Sequence, residues 1–370
     1  LEAGRGGLPI LGLGFRVFAM AAQHTPFRID RKALDVSVYT DTIRGMNTAN
    51  ETRKRALAML RHAASDEQAA VEYFEMLRWG ESGPCCPRCG SVGVRRIMGK
   101  DGQREKAMRW KCRDCARQYS VRTGTVYEES RLPMRVWAHA FWRCCASKKG
   151  VSALQIKREC GIGYRAALFM MHRIRFAMAE RGEALTGTVE CDETYVGGKP
   201  RRRNYEMAGS PTLKRGPKGT LAPVLGIVQR GGNLRLRHVT KVTADNLHAF
   251  VLSHAKSGQS TLMTDDNPKY LKPGRRFAGG HQTVNHTIKE YARGEAHTNT
   301  IESAFAILKR GIYGTFHAVS ESHLHRYCAE FEFRYNTRKV DDTERVQCAV
   351  KAANGKRLRY REPPSPARAA

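Results

Sequence analysis

Ala70, Val71, Phe74 and Leu77 place apolar side chains at helical spacing, and Ser65-Asp-Glu-Gln68 ahead of them reads as a capping box. The pair predicts a helix over 65–78, stopped by Trp79-Gly80. Leu132 to Ser147 repeats the helical pattern, with Trp137, Phe141 and Trp142 as core and Cys144 and Cys145 on the same helix surface. A second capping box, Ser152-Ala-Leu-Gln155, opens a short helix to Cys160; Gly161-Ile-Gly163 turns the chain into a helix over 164–175. Past a breaker zone at 181–185 the period falls to two. Strands are predicted at 187–192, 222–229 and 233–239, the last two joined at Gly231-Gly232. A helix over 244–256, a strand at 260–264, a strand near 282–285 and a helix over 299–309 follow.

Three strands, a helix, a strand and a mixed end is the element order of an RNase H-like α/β domain. The domain division that follows is a leader at 1–58, an N-terminal helix at 59–80 and a cysteine-bearing hairpin region at 81–130. A helical helix-turn-helix region at 131–182, the α/β domain at 183–345 and a basic tail at 346–370, proline-rich and expected to be disordered from Lys351, complete it. The first strand of the α/β domain is unusual. Val189 and Cys191 face one side and Glu190 and Asp192 the other, so carboxylates stand at the end of a buried strand. That is costly without a cation beside them.

Composition narrows the partners. The 370 residues include 64 Lys and Arg against 35 Asp and Glu, a net charge of +29. Such an excess opposes compaction in isolation and suits a polyanion, so nucleic acid is the expected partner. No apolar run of about 18 residues exists, and neither a membrane span nor a membrane partner is expected. The cytoplasm, at the nucleoid, is the expected compartment. Residues 1 to about 45 begin with Leu rather than Met and are assigned no function.

The eleven cysteines include two Cys-x-x-Cys pairs, Cys86/Cys89 and Cys112/Cys115, with 22 residues between them. Matched pairs of this kind point to a structural zinc ribbon rather than a disulfide framework. Val92–Ile97 and Ala107–Lys111 alternate like its hairpin strands. Cys85 adjoins Cys86, and spacing favours Cys86 as the ligand.

Two later acids answer Asp192. The strand 261–264 runs into Asp265, with Asp266 after it, and Glu302 sits in the first turn of the helix from Asn299, one face shared with Asn299 and Lys309. Three carboxylates converging on one spot would repel unless Mg²⁺ (or Mn²⁺) lay between them. Two such ions serve an in-line phosphoryl displacement, one activating a water or 3′-hydroxyl and the other stabilising the leaving oxygen. Lys309 would then contact a DNA phosphate or the developing charge. Each acid also has a plainer use: Asp192 as a turn cap, Asp265 as a turn opener, Glu302 as the partner of Asn299 in a capping box. For DNA, the helix-turn-helix offers Arg165, His172, Arg173 and Arg175, although two short helices packed in a core give the same pattern. The glycine- and proline-containing stretch 199–220 offers Arg201, Arg202 and Arg203 to phosphates.

Several strings together resemble one family. Cys86-Pro-Arg-Cys89-Gly90, Arg122-Thr-Gly-Thr125, Val189-Glu-Cys-Asp192-Glu193-Thr-Tyr-Val-Gly-Gly198 and His297-Thr-Asn-Thr-Ile-Glu302 are similar to zinc-ribbon DDE insertion-sequence transposases of bacteria, related to the eukaryotic Merlin elements. Lys309-Arg-Gly-Ile-Tyr-Gly-Thr-Phe-His317, His323-Leu-His-Arg-Tyr327 and Phe331-Glu-Phe-Arg-Tyr-Asn336 continue the likeness. The resemblance implies a zinc ribbon, a helix-turn-helix and an RNase H-like catalytic domain. It implies binding of terminal inverted repeats in double-stranded DNA, metal-dependent cleavage and strand transfer to a target, and a homo-oligomer on DNA. It puts Asp192, Asp265 and Glu302 at the DDE positions and Lys309 at the accompanying basic one. Cys191 stands where relatives often carry an apolar residue, and Asn267-Pro268 where they commonly show an aromatic; Tyr270 keeps Asp265, over Asp266, in the second position. The competing expectations are a DNA-binding regulator or decayed transposase, and a metal-dependent nuclease on the same fold.

Overall fold

The computed structural model describes residues 49–179, 182–197, 221–284, 293–294 and 296–360. The described residues from Thr52 onward form one compact unit. Helix α1 (Ala49–Ser65) lies partly where a leader was expected and ends at the residue read as a cap. The cap of α2 (Glu67–Trp79) is Asp66 instead, whose carboxylate accepts the Ala69 N–H at 2.7 Å. Both residues carry a side-chain oxygen, and the helix running through Ser65 leaves Asp66 as the first non-helical position.

A three-stranded antiparallel sheet follows, β1 (Val94–Arg96), β2 (Trp110–Cys112) and β3 (Gln118–Tyr119). Helix α3 (Met134–Ala146) starts at Pro133, which offers no side-chain cap. A distant residue supplies one: the Glu67 carboxylate accepts the Met134 and Arg135 N–H groups at 2.8 and 3.0 Å. Helices α4 (Ala153–Cys160) and α5 (Tyr164–Met178) are joined at Gly161, whose φ of 64° suits glycine, and Ser152 caps α4 through the Gln155 N–H.

The second sheet comprises β4 (Leu185–Val196), β5 (Ala222–Gln229), β6 (Leu234–His238), β7 (Ala255–Asp265) and β8 (His281–Val284). Its order is β6-β5-β4-β7-β8, with β4, β5 and β6 antiparallel and β4, β7 and β8 parallel. This mixed sheet, preceded by the ribbon, is consistent with an RNase H-like domain. Helix α6 (Ala244–His254) buries Leu247, Phe250 and Val251 against one face, over Val189, Cys191 and Ile227. Helices α7 (Asn299–Gly311) and α8 (Glu321–Asn336) cover the other, packing Ile301, Ala304 and Phe305 on Val228 and Leu234, and Leu308 and Phe331 on Val224.

The chain then returns to its beginning. Helix α9 (Asp342–Lys351) places Val346, Ala349 and Val350 in the same core as Phe74, Phe141 and Ile174. The stretch expected to be disordered from Lys351 is ordered through Tyr360: Ala353 is buried, Thr125 bridges Asn354, and the Lys356 ammonium donates to the Ala177 and Ala179 carbonyls, each at 2.6 Å. The helical body is built from both ends of the sequence, a non-local closure that no local periodicity announces.

Candidate active site and metal centres

Strand β4 arranges the acids. Its alternation holds Val189 and Cys191 under α6, while Glu190 and Asp192 point toward α7. Asp192 pairs across the ladder with Gly226. A Cβ at position 226 would stand 2.7 Å from Phe305 and 2.8 Å from Ile301, so only glycine lets α7 lie this close to the strand beside Asp192. On its other edge β4 runs parallel to β7 with Glu190 opposite Met263. The ladder ends at that pair; Asp192 and Asp265 each stand two residues beyond it, near enough for the Asp265 charge to act on Asp192. The Asp265 carboxylate accepts the Asn267 N–H at 3.3 Å. Glu302 is exposed in the first turn of α7 and accepts the Thr298 hydroxyl at 2.8 Å.

These carboxylates sense one another. Burial pushes the Asp192 carboxyl up to about 7, against a backbone N–H from Glu193 that pulls it down, and Asp265, Glu193 and Glu302 add repulsion. The three acids form a loose set. Among the described residues only the four ribbon cysteines make a group of three or more candidate ligands within 4.8 Å of one another. Oxygen-only donors with mutual repulsion at a strand end fit Mg²⁺ or Mn²⁺. Lys309 is half-buried on the same helix as Glu302, seven residues on.

Two residues passed over in the sequence hold this arrangement. Glu190, fully buried, caps α7: its carboxylate accepts the Thr300 and Ile301 N–H groups at 2.8 and 3.1 Å. Asn299 opens the helix but no capping box forms on it, and Thr298 at the N-cap makes no side-chain cap. Glu193 alternates to the opposite face and accepts the Tyr270 hydroxyl at 2.6 Å and the Asn267 amide at 3.0 Å. The sequence signal for the first was His297-Thr-Asn-Thr-Ile-Glu302, and for the second Tyr270, each noted for its neighbours and not for the carboxylate it meets.

The ribbon cysteines assemble as their spacing predicts. Cys86 lies 3.6 Å from Cys115, and Cys89 3.7 Å from Cys112, sulfur to sulfur. Four sulfurs closed around one point fit structural zinc, with no position left for substrate. Burial pushes the Cys86 thiol up, but N–H donors from Cys89 and Arg88 and neighbouring thiols outweigh it and bring it to about 7, readying a thiolate. The buried Glu75 of α2 ties the ribbon down, accepting from Arg104 at 2.5 Å and from the Trp110 indole at 2.7 Å. The chain is expected to carry one zinc, measured by metal analysis. Cys112→Ser should retain less than about a tenth of it and open the ribbon, seen as increased hydrogen exchange in 86–119.

The helix-turn-helix exists, but most of its proposed DNA-contacting residues point inward. His172 is buried against the His323 ring, 4.7 Å between centroids, and burial followed by the Arg175 charge brings its imidazole down to about 3. Arg173 is buried and donates to the Glu128 and Leu358 carbonyls at 3.0 and 3.2 Å. Arg175 is 1 % exposed, donates to Glu330 at 2.6 Å and lies 4.0 Å over the Tyr327 ring. These three are corrections: their side chains are buried in the interior, and the core-packing alternative describes them. Arg165 is exposed at the start of α5, and Lys157 and Arg158 are exposed on α4. Arg201, Arg202 and Arg203 lie outside the described residues. Cys144 and Cys145 are buried in the same core as Trp137 and Phe141, on the helix surface they were expected to share. None of the described helices is long and apolar enough to cross a membrane.

Comparison with known proteins gives two family matches. The transposase zinc-ribbon domain matches residues 65–118, which include Cys86, Cys89, Cys112 and Cys115, and the ISXO2-like transposase domain matches 184–336, which include Asp192, Asp265, Glu302 and Lys309. An uncharacterized protein in transposable element ISH50 of Halobacterium salinarum is 27% identical over 293 residues, covering 78% of this chain and 97% of that one. A chain in the cryo-EM structure of the simian T-cell lymphotropic virus intasome with PP2A regulatory subunit B56 gamma matches at 16% identity and a TM-score of 0.26. That match covers 54% of this chain and 65% of that one, a superposition too loose to bear on the fold.

Proposed function

We propose that this chain, a zinc-ribbon DDE transposase related to the IS1595-like and ISXO2-like insertion-sequence transposases, binds the terminal inverted repeats of its element, cuts there and joins the ends to target DNA. A link to the Merlin-like elements belongs to this reading. The observation that carries it is Asp192, a half-buried strand-end carboxyl raised first by loss of solvent and then by the charges of Asp265 on β7 and Glu302 on α7.

Asp192, Asp265 and Glu302 would hold the catalytic Mg²⁺ or Mn²⁺. When bound, such ions supply Lewis-acid activation of the attacking hydroxyl and of the leaving oxygen. The protein's own part is to fix the acids on rigid elements and to place Lys309 where a phosphate can meet it. Around them a net charge of +29 draws in duplex DNA. Arg165, the exposed cations of α4 and the stretch bearing Arg201, Arg202 and Arg203 would grip its backbone. Two transposon ends require holding together, so a homo-oligomer on DNA is part of the proposal, as is action at the nucleoid.

The test is incubation with a labelled inverted-repeat end, a target duplex and Mg²⁺ or Mn²⁺. Products in which the end is joined to target are expected. Cleavage without joining would make the protein a nuclease, and binding alone a regulator or a decayed copy.

A further inference from the structure

Resting on that reading, we infer that Glu190 and Glu193 are positioning residues: the acids beside Asp192 on one strand each hold in place the element bearing one of the other two acids.

Glu190 serves Glu302. Its Oε2 accepts the Thr300 and Ile301 N–H groups, and its Oε1 accepts the Thr300 hydroxyl at 2.8 Å and Arg230 Nε at 2.7 Å. Arg230 in turn donates to the His297 carbonyl at 3.1 Å, immediately before the helix. The orphan N–H groups of a first helical turn are normally satisfied by a residue just upstream. Here they are satisfied from β4, two residues from Asp192. The carboxylate thereby fixes the height and rotation of the turn that presents Glu302, and charge favours it at the positive end of the helix.

Glu193 serves Asp265. Its two oxygens take the Tyr270 hydroxyl and the Asn267 side-chain amide. Asn267 donates its backbone N–H to Asp265, and its side-chain oxygen accepts the Lys269 N–H at 3.2 Å. The turn after β7 is thus tied to β4 through the residue that also touches Asp265. Tyr270 is fully buried and anchors the link in the core under α6. One short stretch, Glu190-Cys191-Asp192-Glu193, therefore contributes one acid to the cluster and sets the position of the other two.

Removing an outer partner of a metal ligand costs ten- to a hundredfold in metal affinity or activity. The probe is Mn²⁺ alone, followed by electron paramagnetic resonance on the full chain without DNA. Glu190→Gln should weaken Mn²⁺ binding about tenfold, and Tyr270→Phe, which only removes a hydroxyl, about threefold. Zinc content and duplex binding should be unchanged, and excess Mn²⁺ should restore most of the strand-cleavage rate. Should Glu190→Gln fail to fold, Thr300→Val and Tyr270→Phe carry the test. Folded variants that bind Mn²⁺ as the wild type does would overturn the inference and leave the transposase reading standing. A wild type that binds no Mn²⁺, or an Asp192→Asn chain that binds it undiminished, would sink both.

Discussion

Asp192→Asn is expected to abolish strand cleavage and joining, by at least about a thousandfold, while making the metal-free protein more stable above pH 7. The two effects have one origin. In the folded chain the Asp192 carboxyl sits at about 7, raised by burial and then by the nearby acids. A raised carboxyl pKa means the fold holds the proton more tightly than the unfolded chain does. The stability tied to that proton is complete below about pH 4, where a free aspartate is also protonated, and is lost as pH rises through about 7. Asparagine removes the loss, so the variant should gain on the order of 2 kcal/mol at pH 8 and nothing at pH 4. Urea unfolding at the two pH values, in chelator, measures it. Mg²⁺ should raise the wild-type midpoint at pH 8 and leave the variant's unchanged. Duplex binding should survive, because the +29 charge that drives it lies elsewhere. A fully active Asp192→Asn chain would show that the reacting cluster is another one.

Local chemistry made much of this site legible in the sequence. Strand β5 has the bounds that its apolar run predicts, the period of two on β4 gives Asp192 its face, and Cys-x-x-Cys spacing gives the zinc ligands. What escaped depends on partners far along the chain. Glu190 could be seen to share a face with Asp192, but its role is decided by N–H groups 110 and 111 residues later. Glu67 likewise caps α3 from 67 residues away. The inward turn of Arg175 is set by Glu330, which lies 155 residues on. A basic residue on a short amphipathic helix looks alike whether its partner is a phosphate or a buried carboxylate. The same limit explains α9, which completes a core begun by α2 and α3 at the other end of the chain.

That buried carboxylate sets up the second large effect. Glu330 is 0 % exposed and lies between Arg175, at 2.6 Å from α5, and Arg334, at 2.6 Å one turn along α8. Arg334 also donates to the Ser147 and Cys144 carbonyls at the end of α3. The triad therefore couples three helices, one of which packs on the five-stranded sheet. Gly150 approaches it so closely that a Cβ there would stand 2.9 Å from the Glu330 carboxylate. Breaking such a pair from one side leaves a charge stranded in the interior, which costs about 3–5 kcal/mol. Glu330→Gln and Arg175→Met are each expected to lose about that much stability in urea unfolding, with any fall in DNA binding tracking the unfolded fraction. Arg165→Ala should behave in the opposite way. It should leave the unfolding midpoint unchanged and reduce the slope of log affinity against log salt by about one for an inverted-repeat duplex. A stable Arg175→Met chain with selectively weakened DNA binding would return that arginine to the DNA and overturn its assignment to the core.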